Sequence, residues 1–159
     1  MNEEVFIMAI LGSNILNQHG PYVNFSVIDV PLCTDGWPDS SEYKQGIFID
    51  VSDDLLGVYC SMTRSYSPFG TYDFTQFTTQ QEVYEFTAKL LMWESQLAKT
   101  PVNYFASQLE YFHLPEFYLR GEVYTPEQLK NDLLETLHFM VGEMHKAAAS
   151  GKCVVIVGI

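Results

Sequence analysis

The hydrophobic pattern of this chain changes period once, near residue 77. Before that point it alternates in twos, after it apolar residues recur every three or four positions, and the chain closes on a run that is apolar throughout, Cys153-Val-Val-Ile-Val157. A strand hides alternate residues and a helix hides every third or fourth. The two patterns therefore call for a sheet built first and helices laid on it afterwards, not alternating βα units. A strand apolar on both sides needs cover on both sides, so the final run belongs inside the sheet. The expected fold is α+β: two layers, with a mostly antiparallel sheet covered by two or three helices and the C-terminal strand central. The length of 159 residues suits one domain, expected to span residues 1–159.

Four strands are expected in the first half. Val5 to Leu11 is a continuous apolar run, and Tyr22 to Val30 alternates, with Val23, Phe25 and Val27 on one face and Asn24 and Ser26 on the other. Gly46 to Val51 and Leu55 to Thr63 read as a hairpin around Ser52, Asp53 and Asp54. The segments 17–21 and 34–45 are rich in Gly, Pro, Asn, Asp and Ser, which interrupt a ladder. Arg64 to Phe77, with Pro68, Gly70 and several aromatics, reads as a long loop.

The helices carry chemical start and stop signals. Thr79 followed by Glu82 fits a capping box, in which hydroxyl and carboxylate satisfy the free backbone donors of a first turn. A helix over about 80–98 follows, with Val83, Phe86, Leu90, Trp93 and Leu97 on one face. A shorter helix, Asn103 to Phe112, lies between Pro101 and Pro115. Thr125, Pro126 and Gln128 start a third, lined by Leu129, Leu133, Leu137, Met140, Val141 and Met144 and stopped by Gly151.

Charge narrows the functional classes. Eight Lys and Arg face 20 Asp and Glu, a formal net charge of −12 that repels phosphate backbones and anionic headgroups, so neither nucleic acid nor a membrane is an expected partner. The apolar run at Val5 follows two glutamates rather than a basic start, and no segment approaches the roughly 20 apolar residues that span a bilayer. Three widely spaced cysteines, Cys33, Cys60 and Cys153, suit reduced thiols and a cytoplasmic location.

No catalytic signature is present: GxSxG, Walker A, GxGxxG and HExxH are all missing from the sequence. Glu110-x-x-His113 and Glu135-x-x-His138 have the spacing of di-iron ligands, but the expected sheet leaves no four-helix bundle to complete such a site. His138 and His145 share a helix face without a third zinc ligand. Cys60 and Cys153 lie in apolar strand patterns, and Cys33 in an acidic loop that disfavours a thiolate. The expectation is a chain without metal, cofactor or catalytic residues.

The acidity itself is local. Residues 1–63 hold nine acids against the single base Lys44, and residues 29–54 alone hold seven, interleaved with Trp37 and Tyr43. Solubility alone accounts for an acidic chain. The functional alternative is a recognition face of Asp35, Trp37, Asp39, Glu42, Tyr43, Asp53 and Asp54, in which carboxylates steer a basic protein and aromatic side chains anchor it. This is the chemistry of an immunity-type inhibitor, which neutralises a basic toxin or nuclease by covering its active groove. The other expectations are a small hydrolase-like enzyme pairing a carboxylate with His113 or His138, and a non-catalytic adaptor subunit.

Overall fold

Four antiparallel strands form the main sheet, in the order β2-β1-β6-β3, where β1 is Tyr22–Ile28, β2 Phe48–Ser52, β3 Phe74–Phe77 and β6 Cys153–Gly158. The computed structural model describes residues 22–33, 38–43, 48–52, 74–111, 117–119 and 122–158. The expected strands at Val5 to Leu11 and Leu55 to Thr63, and the hairpin turn at Ser52 to Asp54 beyond Ser52 itself, lie outside them. The fold is α+β, with β6 held between β1 and β3 and buried at all six positions.

Register shows why every residue of β6 is apolar. Val23, Phe25 and Val27 of β1 share a face with Val154 and Ile156, and that face packs under the helices. The opposite face carries Ile28, Cys153, Val155 and Val157 in a second apolar cluster with Tyr43, Leu32 and Phe74. Asn24 and Ser26 lie on this second face and are also buried, the Ser26 hydroxyl donating to Asn24 Oδ1. A buried polar side chain needs such a partner to offset its lost hydration.

Three longer helices follow a single-turn helix, α1, at Ser40–Tyr43: α2 is Gln80–Lys99, α3 Val102–Tyr111 and α4 Pro126–Ala149. Both expected capping boxes form, Thr79 with Glu82 and Thr125 with Gln128. Beyond α4, Gly151 has φ +69°, a left-handed turn that ends the helix and sends the chain into β6. Each expected apolar face is turned inward, although Val141 is only partly buried. Phe86 fixes α2 to the sheet, its ring 6.2 Å from that of Phe25 and 5.2 Å from that of Phe77.

Helices α2 and α4 run antiparallel. Gln80 Nε2 donates to the Ala148 carbonyl at 2.8 Å, tying the start of α2 to the end of α4, and Lys130 Nζ donates to the Thr100 carbonyl at the other end of the pair.

Besides the single turn α1, which falls within the segment 34–45 expected to be loop, two features differ from the sequence expectation. Phe74–Phe77 is a strand rather than the end of a loop. Its backbone bonds come from β6, almost eighty residues away, and its Gln76 side chain grips both the N–H and the carbonyl of Leu32. A four-residue strand sustained by such distant partners leaves little local pattern. A small hairpin of β4, Phe117–Leu119, and β5, Glu122–Tyr124, joins α3 to α4. Aromatic residues on both sides of Gly121, with Val123 after it, were its sequence signal.

Candidate functional site

Of the seven residues expected to form a recognition face, Asp39, Glu42 and Tyr43 fall among those described; Asp35, Trp37, Asp53 and Asp54 lie outside them. Asp39 and Glu42 are exposed and cooperate in starting α1. The Asp39 N–H donates to Glu42 Oε2 at 2.7 Å, the Ser41 N–H reaches Asp39 Oδ1 at 3.3 Å, and the Glu42 N–H reaches the Asp39 carbonyl at 2.9 Å. Glu42 reaches back as in a capping box, while the Asp39 carboxylate takes the N–H of Ser41 and not that of Glu42; the spacing Asp39-Ser-Ser-Glu42 carried this signal, in a helix only one turn long. Both carboxylates thus have a local backbone duty while remaining open to solvent.

Tyr43 requires a correction. It is 2% exposed and belongs to the apolar cluster on the second face of the sheet, with Ile28, Cys153, Val155 and Val157. Helix α1 lies against β1, so its last residue enters the core and is not an anchor available to a partner. Acidic neighbours in the sequence had suggested a surface residue; a single helical turn is enough to point Glu42 outward and Tyr43 inward.

The histidines are arranged differently from the Glu-x-x-His reading. His138 Nδ1 lies 3.0 Å from Glu94 Oε1 on α2 and not against Glu135 of its own helix, and the imidazole is 82% exposed. His145 meets the Tyr84 ring edge-on at 5.9 Å. Residues 44 positions apart carry no sequence signal of such a pairing. His113 lies outside the described residues. Among the described residues, no group of three or more His, Cys, Asp or Glu side chains is placed to hold a metal ion.

Among the described residues, two titratable groups are shifted. Burial pushes the Cys153 thiol above its usual range and Glu82 adds to the effect; a thiol held protonated in this way is a poor nucleophile. Burial also raises the Asp132 carboxyl, and Glu135 raises it further. No helix among the described residues is long and apolar enough to cross a membrane.

No family model, curated protein or solved structure matches this chain.

Proposed function

We propose that this chain is an acidic protein-binding inhibitor of the immunity type, which neutralises a basic toxin or nuclease by covering its active groove. The observation that carries the reading is the concentration of seven acids against one base in residues 29–54. The exposed carboxylates of Asp39 and Glu42 support it. Carboxylates presented on a folded surface compete for the positions where a nuclease binds phosphate, and their field speeds encounter with a basic partner.

The test is inhibition of a basic nuclease toxin by the purified chain, with association followed as salt is raised. The Debye length contracts from about 30 Å at 0.01 M to about 10 Å at 0.1 M, so association slows steeply across that range if residues 29–54 steer it. Asp39→Asn is the informative variant, because asparagine caps a helix as well as aspartate does while removing one charge. Reversal of Asp35, Asp53 or Asp54 to Lys acts in the same direction, on the association rate, and Trp37→Ala acts on dissociation. Association with no salt dependence and no response to these changes rules out the electrostatic reading.

A second reading, a hydrolase-like carboxylate and histidine site, draws on the 3.0 Å contact between Glu94 and His138. The carboxylate holds one ring nitrogen and leaves the other to solvent. Such an exposed imidazole lacks the water exclusion that strengthens acid–base chemistry, and the inhibitor reading is preferred. Loss of an ester-hydrolysing activity in both His138→Ala and Glu94→Gln would favour the second.

A further inference from the structure

The outer faces of α2 and α4 differ in chemistry although the two helices pack together. The exposed residues of α4 include Glu127, Glu135, Lys146 and two histidines. Those of α2 are uncharged with two exceptions, Glu85 and Lys99, which are of opposite sign. Between these two charges runs a stripe in steps of three and four, Glu85, Ala88, Met92, Ser95 and Lys99, and every member is exposed. Leu91 borders it, and Leu91 and Met92 are 54% and 48% exposed. On a chain of net charge −12, an outer helix face that carries no net charge is not explained by solubility.

The stripe is symmetrical about Met92, with Glu85 seven residues before it and Lys99 seven after. A second copy of α2 laid antiparallel across the first, with a two-fold axis beside Met92, brings each Glu85 opposite the Lys99 of the other copy. A two-fold interface needs this self-complementarity, because the same patch serves both subunits and residue i meets j while j meets i. Parallel pairing in register would instead set like charges against each other. Ala88 and Ser95, small on both sides of the axis, let the helices approach, and the flexible thioether of Met92 adapts to the contact at the axis. Within one chain Glu85 and Lys99 cannot meet, being about 21 Å apart from 14 residues at 1.5 Å each. Glu85 accepts from the Gln81 amide at 3.0 Å, and Lys99 makes no ion pair among the described residues. Two chains of this charge repel at long range, but the Debye length is about 8 Å at about 0.15 M salt, and a face without net charge is where they can touch.

We propose that the outer face of α2 is an interface with a second copy of this chain, packed antiparallel about Met92 and held in register by two Glu85–Lys99 pairs. It is separate from the acidic segment 29–54 and does not depend on the inhibitor reading.

The test is sedimentation of the full chain at about 0.15 M salt, from about 1 μM to about 1 mM. The mass is expected to rise with concentration towards twice that of the chain. Glu85→Lys and Lys99→Glu should each raise the dimer Kd at least about tenfold, and the double variant should restore it to the parent level. The single reversals change net charge in opposite directions, so general repulsion would move them oppositely, whereas the proposed pairing weakens both. Met92→Lys sets like charges together at the axis and should leave a monomer. All four changes are at exposed positions, so thermal unfolding at the lowest concentration should match the parent and exclude misfolding as the cause. A chain monomeric throughout the range overturns the proposal, as does a dimer indifferent to Met92→Lys or a double variant that stays as weak as the single ones. A monomer whose Met92 and Ser95 amides shift only on addition of a basic protein gives the face to that partner and also overturns it.

Discussion

Lys130 Nζ donates to the carbonyl of Thr100 at 2.5 Å, joining the first turns of α4 to the residue that caps the end of α2. Lys130 is 8% exposed, so its stem is packed and its ammonium sits where the last carbonyls of α2 lack helical donors. The negative end of the helix dipole favours the charge there.

Lys130→Met keeps the packed stem and removes the donor. A hydrogen bond to a charged group contributes about 1.5–3 kcal/mol, so a loss in that range is expected on urea unfolding. Lys130→Ala should cost more, because it also empties the space of the stem. A Met variant as stable as the parent would show that the carbonyl is satisfied equally well by water.

The two glycines around the end of α4 should respond to alanine with opposite signs. Gly142→Ala removes an unfavourable residue from a helix interior and adds a Cβ in open space, so it should stabilise by about 0.5–1 kcal/mol. Gly151→Ala also meets no neighbour within 4 Å, but it forces φ +69° on a residue with a Cβ, at a cost of about 1–2 kcal/mol. Thermal unfolding of the two variants side by side checks both. Equal signs would mean that the left-handed turn at Gly151 does not persist in solution.

Asp132 sets a pH dependence whose sign follows from its raised pKa. The folded state binds this proton more tightly than the unfolded chain, where the ordinary value is 3.8, so ionisation at neutral pH opposes folding. The penalty fades as pH falls through the folded pKa and is gone below 3.8. Asp132→Asn should accordingly be more stable than the parent at pH 7, by less than about 1 kcal/mol because solvent screens a half-exposed group. The difference should close in acid. A gap that stays constant from pH 7 to pH 3 would remove the carboxyl as its cause.

Because β6 is covered on both faces, a charge is intolerable at either parity. Val155 and Ile156 point to opposite apolar clusters and are 0% and 2% exposed. Val155→Asp and Ile156→Asp should each prevent stable folding, whereas Ile156→Val should cost only about 0.5–1.5 kcal/mol. A soluble Val155→Asp with unchanged thermal unfolding would make the second face of the sheet solvent-exposed.

The helices were legible because their signals are local. Capping boxes at Thr79 and Thr125, proline at the first turn of α4, Gly151 after it and apolar spacings of three and four all act within a few residues of the backbone they organise. The same holds for β1 and β6, where alternation in one and unbroken apolarity in the other predicted which faces need cover. The sheet partners of β3, the burial of Tyr43 and the meeting of Glu94 with His138 were not legible. Short strands take their hydrogen bonds from distant segments, and a lone tyrosine among acids is classed by sequence with its neighbours. The local sequence thus determined which segments are helix or strand and which faces are apolar. Only the tertiary structure decided which of these faces meet, because pairing depends on contacts between residues far apart along the chain, and that decision removed Tyr43 from the candidate site.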